Sequence, residues 1–190
     1  MNLKEAKALA RSRMGDKRFE HTLNVKKMAV KLARRHGANE EKAALAALLH
    51  DAAKEMPKDE MQALLRRYPE YAEGAEQRPG PVWHGVCAAI LARTAWGVSD
   101  EAVLSAIACH TTGKPGMSRL DKILYLADMT SAERDWKGVE ALRRLALKDL
   151  DAAMLSALEQ SQRYVEKNGK PLDPLSQAAY EDIRAQCAAV

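Results

Sequence analysis

The sequence predicts an all-α fold, a single bundle of helices, on three observations. Alanine and leucine dominate its apolar residues, β-branched residues are sparse and there is one Phe in 190 residues, so helix formers prevail throughout. Apolar side chains recur at helical spacing, as with His21, Val25, Met28, Ala29 and Leu32, which fall on one helix face. Gly, Pro and capping residues punctuate the chain at helix-length intervals, and no segment alternates as a strand does.

The elements follow in order. Leu3 to Arg13 reads as a first helix. Asp16 is the expected cap of a long second helix stopped by Gly37. Asn39 caps a third running to Ala53, apolar on nearly all sides and so expected to be buried, and Met56-Pro57 breaks it. A helix with Met61, Leu64, Leu65 and Tyr68 ends at Pro69. Glu70 to Pro81 is the best loop candidate. A helix carrying His84, Val86, Ile90 and Leu91 runs to Gly97, and Ser99 is the expected cap of the next, with Val103, Ile107 and His110 on one face. Thr111 to Gly116 is a polar, glycine-rich loop. Ser118 opens a helix whose Leu120, Leu124, Ala127 and Asp128 share a stripe. Helices over about 139–146 and 149–167 follow, and a last one starts at Leu175.

Composition narrows the function. Thirty basic against 26 acidic residues, evenly mixed, leave a formal charge of +4, too mild for a nucleic-acid partner but compatible with a local site for a small anion. The most apolar stretch, Ala43 to Ala53, is too short to cross a membrane. The amphipathic start lacks the apolar core of a signal peptide. Three cysteines, Cys87, Cys109 and Cys187, show no CxxC spacing, which argues for a reducing compartment. The expected location is the cytoplasm.

The chemistry lies in ionisable residues on core-facing stripes. His21, His110 and Asp128 each sit on one, and the buried third helix ends in His50-Asp51. A single core histidine is usually just hydrogen-bonded; several converging in one bundle suggest a metal site built from facing helices. Successive helix residues point about 100° apart, yet at a helix end both His50 and Asp51 can reach one cavity, and the Asp51 carboxylate could bridge two metals. Lys54, three residues on, can share the face of Asp51, either in the site or in an exposed salt bridge. Imidazole and carboxylate donors suit iron, manganese or zinc. Thr111, Thr112 and Gly113 offer hydroxyls and N–H groups to phosphate oxygens, or form a helix C-cap. His36 reads as a helix-end residue, the pairs Arg34-Arg35, Arg66-Arg67 and Arg143-Arg144 as solvated faces, and Trp83 and Trp96 as core anchors or part of a base pocket.

The order H…HD…H…H…D, carried by RFEHTLNVKKMA (18–29), LAALLHDAAKEM (45–56), WHGVCAA (83–89), AIACHTTGKPGMSRLDKILYLAD (106–128) and ERDWKGV (133–139), resembles the HD-domain metal-dependent phosphohydrolases. Within them it is similar to the YqeK-type symmetrical bis(5'-nucleosyl)-tetraphosphatases. The resemblance implies one HD domain over residues 1–190, its core about 15–130, with a C-terminal helical extension from about 138. It implies symmetrical cleavage of diadenosine tetraphosphate and related dinucleoside tetraphosphates to two nucleoside diphosphates, at a centre of two iron ions with manganese or zinc as alternatives. The partner is then a small molecule, and the assembly a monomer or homodimer. His21, His50, Asp51 and Asp128 match the first metal site, and His84 and His110 positions near the second. Asp51 and Lys54 carry the catalytic assignment. Lys54, His84, His110, Thr111, Thr112, Gly113 and Arg134 match substrate contacts. The chain departs from the family after its YLAD string. Where the family continues with Glu-Pro, it has Ser131-Ala132, which puts nucleotide preference and the edge of the site in question. The alternatives are an HD phosphohydrolase acting on a nucleotide monophosphate or guanosine alarmone, and a nucleotide-sensing module with vestigial activity.

Overall fold

The computed structural model describes residues 1–72 and 74–188, so Glu73 in the expected loop and the last two residues of the expected extension lie outside it. The described residues form eleven α-helices and no strand. Helices α1 (Leu3–Arg13), α2 (Asp16–Arg35) and α3 (Glu40–Leu49) begin the chain. Helix α4 (Lys58–Arg67), the one-turn α5 (Pro69–Ala72) and two 3-10 turns (Ala75–Gln77, Gly80–Val82) lead to α6 (Trp83–Thr94) and α7 (Glu101–Cys109). Helices α8 (Arg119–Thr130), α9 (Val139–Lys148), α10 (Leu150–Lys167) and α11 (Pro174–Ala188) complete it.

Side-chain caps set several starts. Asn2 with Glu5, and Ser118 with Asp121, form reciprocal capping boxes that satisfy otherwise unpaired N–H groups. Asn39 caps α3 as expected. Elsewhere the boundaries differ from the sequence reading by a few residues. Gly15, not Asp16, caps α2, with Asp16 in the first turn near the positive end of the helix dipole. Asp100, not Ser99, caps α7, its carboxylate accepting from two backbone N–H groups. Helix α6 stops at Thr94 rather than Gly97. The expected loop over 70–81 contains α5 and both 3-10 turns.

The centre of the bundle is α3, which packs on α2 and α7, and α8, which packs on the same two helices. Ala43, Ala44, Ala46 and Ala47 on α3 are buried; their small side chains let neighbouring helices approach closely. Leu48, Leu49, Ile107, Ile123 and Leu126 fill the interior at 0 % exposure, each contributing about 1.5–3 kcal/mol of burial. The same apolar cluster continues through Met154 and Leu158 of α10 to Ala179 and Ile183 of α11. No helix among the described residues is long and apolar enough to cross a membrane.

Two local features aim the core at one cavity. Helix α3 ends at Leu49 rather than Ala53, and the chain tightens into i→i+3 bonds from Ala52 to Leu49, Lys54 to Asp51 and Met56 to Ala53. His50 and Asp51 leave the helix at this tightening. On the other side α6 crosses α7 at Gly85, where an added Cβ would lie 3.1 Å from the carbonyls of Ile107 and Ala108 and from His110 Nδ1. A glycine there lets His84 and His110 meet.

Candidate metal centre

Six side chains from five segments converge on one point. His50 and Asp51 come from the end of α3, His110 from the end of α7, His84 from the start of α6, His21 from α2 and Asp128 from α8. Asp51 is central. Its Oδ2 faces His21 Nε2 at 3.9 Å and His50 Nε2 at 3.7 Å, while its Oδ1 faces His84 Nε2 at 3.2 Å and His110 Nε2 at 3.8 Å. Asp128 Oδ1 lies 3.0 Å from His21 Nε2. The carboxylate of Asp51 therefore divides the imidazoles into two pairs, one per oxygen.

All four imidazoles are turned the same way. His50 and His110 each present Nδ1 to the carbonyl three residues back, Ala47 and Ile107, at 2.7 Å, and His84 presents Nδ1 to Pro81 at 3.0 Å. His21 presents Nδ1 to the carboxylate of Glu133. An acceptor at Nδ1 favours the proton there and turns Nε2 into the site, the orientation of metal-binding histidines.

The donor set fits a cation on three further grounds. His50 Nε2 is buried with no hydrogen-bond partner. His84 Nε2 and His110 Nε2 stand 3.1 Å apart, two lone pairs that repel unless positive charge lies between them. Helices α3 and α7 both end at the site, with His50 and His110 at their C-caps, so their negative dipole ends converge there.

Charge follows this geometry. Burial alone would raise the Asp51 carboxyl, but the imidazoles of His50, His110 and His84 packed around it outweigh burial and hold the group well below the carboxylate range. Asp128 is lowered in the same way, its burial overcome by His21, His50 and Arg134. Burial pushes His84 down to about 4 and lowers His50, as neutral ligands require. Burial also lowers His21, but its bonds to Asp128 and Glu133 reverse this and raise it. Lys54 is lowered, chiefly by burial.

The centre forms the floor of an open cleft of about 610 Å³, within the range of small-molecule sites. Arg18, Lys54 and Arg134 line it. Lys54 does not form the exposed salt bridge to Asp51: its Nζ lies 3.3 Å from His84 Nε2, and Arg18 takes Asp51 Oδ2 at 2.6 Å. Arg134 reaches both the Asp128 carbonyl at 3.0 Å and its carboxylate at 2.7 Å.

The expected phosphate loop divides. Thr111 lines the cleft with a buried, unpartnered hydroxyl. Thr112 instead lines a separate cavity of about 300 Å³ with Cys109, and its hydroxyl donates to Gly113. Gly113 has φ 68°, faces Ala179 and Met117, and closes the turn after α7 by donating its N–H to the Cys109 carbonyl.

Of the two alternatives for Trp83 and Trp96 the structure takes the core anchor: both pack against the apolar core, and Trp83 also bonds the Arg78 carbonyl. Trp136 is the tryptophan that lines the cleft. Arg143 is not on a solvated face: it donates to the carbonyls of Thr130, Ser131 and Arg134. His36 caps α2 and contacts the Ala146 carbonyl, a structural place as expected. Sequence reasoning missed Arg18, Glu133 and Trp136, although all three fall in or beside the quoted strings RFEH and ERDW.

An HD-domain family model matches residues 18–133, a span bounded by the cleft's Arg18 and Glu133. The chain is 37 % identical over 174 residues to the symmetrical bis(5'-nucleosyl)-tetraphosphatase of Bacillus subtilis (strain 168), covering 92 % of this chain and 93 % of that one. It is 37 % identical over 187 residues to the enzyme of the same name from Halalkalibacterium halodurans, covering 96 % and 97 %. The crystal structure of a predicted HD superfamily hydrolase involved in NAD metabolism from Clostridium acetobutylicum superposes with a TM-score of 0.92 at 33 % identity over 98 % of each chain. Helical architecture, site geometry and full-length similarity agree: the chain belongs to the HD-domain family and, within it, to the symmetrical bis(5'-nucleosyl)-tetraphosphatases.

Proposed function

We propose that the chain hydrolyses diadenosine tetraphosphate and related dinucleoside tetraphosphates at the central anhydride, releasing two nucleoside diphosphates. The observation that carries this reading is the split of the imidazoles about Asp51, two per oxygen, beneath a cleft ringed by Arg18, Lys54 and Arg134. His21, His50, Asp51 and Asp128 would hold one ion, and His84, His110 and the other oxygen of Asp51 a second. Two iron ions are the proposed occupants, with manganese or zinc as substitutes for the same donors. Bound there, the ions supply an activated water at neutral pH and neutralise charge on phosphate oxygens.

The chain's own residues do the rest. Arg18 and Lys54 lean on Asp51 and His84 and are placed to exchange those contacts for substrate phosphate oxygens. Arg134, fixed by its fork on Asp128, adds a further cation to the cleft, which Lys17 also lines. Cations around the floor suit a polyphosphate bridge, whose charge is spread over several groups. Thr111 offers its free hydroxyl to a phosphate oxygen, and Trp136 an apolar ring at the edge for a base. The enzyme would work in the cytoplasm as a monomer or homodimer, with Cys87 and Cys109 reduced and buried.

Hydrolysis of diadenosine tetraphosphate in ¹⁸O-water tests the reading. The expected products are two molecules of ADP per turnover, with label in one of the two. A monophosphate plus a triphosphate would overturn the symmetrical assignment. Turnover of nucleoside monophosphates in preference to the tetraphosphate would favour a different HD phosphohydrolase.

A further inference from the structure

Three of the four imidazoles find their Nδ1 acceptor close by in the chain. Ala47 and Ile107 lie in the last turns of α3 and α7, where backbone carbonyls have no intrahelical partner. Pro81 belongs to the 3-10 turn before α6. His21 has no such option. It sits well inside α2, where the carbonyls three and four residues back are committed to the helix. Its acceptor has to come from another element, and that acceptor is Glu133, 112 residues away.

Glu133 is itself held. The Ser131 hydroxyl donates to Glu133 Oε1 at 2.6 Å, and the Ser131 side chain is fully buried. Arg143 of α9 clamps the backbone on both sides, donating to Ser131 at 2.6 Å and to Arg134 at 2.7 Å. A short segment with no regular structure of its own is thus tied to the bundle at two carbonyls, with one carboxylate aimed at one imidazole nitrogen. A glutamate at position 131 would place its Cγ where the Ser131 hydroxyl oxygen lies, and two covalent bonds would span the gap from there to the oxygen that Glu133 now presents.

We infer that Glu133 is the positioning residue for His21. It holds the proton on Nδ1 and fixes Nε2 toward Asp51 and Asp128, and the Ser131–Glu133 pair does for this chain what an acidic side chain at position 131 would do directly. This rests on the assignment of His21 as a metal ligand.

The test is manganese(II) titration of chelator-stripped protein, read as free manganese by electron paramagnetic resonance. Glu133→Ala is expected to weaken the tighter manganese class by about 10- to 100-fold, the usual effect of removing an imidazole's outer partner. Ser131→Glu added to Glu133→Ala is expected to restore most of that affinity, which a merely structural loss would not allow. His21→Ala should remove the class altogether. If His21→Ala removes it while Glu133→Ala binds as wild type, or if the double variant shows no recovery, the inference fails and the ligand assignment stands. If His21→Ala leaves manganese binding unchanged, the ligand assignment fails and the inference with it.

Discussion

The two halves of the site are oriented by different means. His50, His84 and His110 form a buried half, at most 3 % exposed, and each takes its orientation from a carbonyl three residues earlier. His21 and Asp128 form an open half, with side chains 14 % and 21 % exposed. They are steered by Glu133 and Arg134, from a segment pinned in turn by Arg143. The buried half is local and made at helix ends; the open half is assembled across the chain. Charge follows the division, since His50 and His84 are lowered by burial while His21 is raised against it by its two carboxylates. The buried half is thus fixed by its own helix ends, and the open half by a segment distant in sequence.

Asp51 belongs to both halves, so removing it should collapse the distinction. Asp51→Ala is expected to abolish metal retention and lower hydrolysis by at least about 10³-fold, since several kcal/mol of charge stabilisation disappear together. The fold should persist, because the apolar cluster does not depend on the site. Metal analysis beside a thermal melt checks this. A variant that keeps its metal and wild-type turnover would remove Asp51 from the centre.

His110→Ala strikes the buried half alone. Metal content is expected to fall from about two ions to about one, with turnover dropping roughly 10²-fold and substrate binding changing less. Stoichiometry measured on the purified variant decides it. An unchanged count would make His84 and His110 substrate contacts rather than ligands and leave His21, His50, Asp51 and Asp128 as the metal-holding set.

The same division explains what could be read from the sequence. Helical periodicity exposed the stripes bearing His21, His110 and Asp128, and the apolar run through Leu49 marked His50-Asp51 as the end of a buried helix, because both signals are local. The resemblance to a known family supplied His84, which lies on no clear polar stripe of α6. Glu133, Arg18 and Trp136 were not read, since their roles depend on contacts across α2, α3 and α8 that no spacing encodes. Arg143 was misread for the same reason. Beside Arg144 it looks like a solvated pair, and only the fold of the 131–138 segment turns it toward three carbonyls. Thr112 and Gly113 neighbour Thr111 in sequence, yet the turn after α7 sends Thr112 to a separate cavity and Gly113 against Ala179.

A pH series on chelator-stripped protein should separate the halves by sign. His84 is lowered in the fold to about 4 from an ordinary value of 6.5. A depressed histidine means the unfolded chain binds more protons between those two values. Stability carried by the neutral ring is therefore full above pH 6.5 and is lost as pH falls toward 4, by about 3 kcal/mol if the whole shift is realised. His50, lowered in the same direction, adds to the loss. His21 is raised, so its contribution is present below pH 6.5 and is lost as pH rises through its folded value. Urea unfolding from pH 7.5 to 4 should therefore show a steep acid loss in wild type. In His84→Gln the loss should be clearly shallower, while His21→Gln should leave it as steep or steeper. Equal slopes for wild type and His84→Gln would mean that the buried half carries no such penalty, and the contrast between the two halves would reduce to their hydrogen bonds alone.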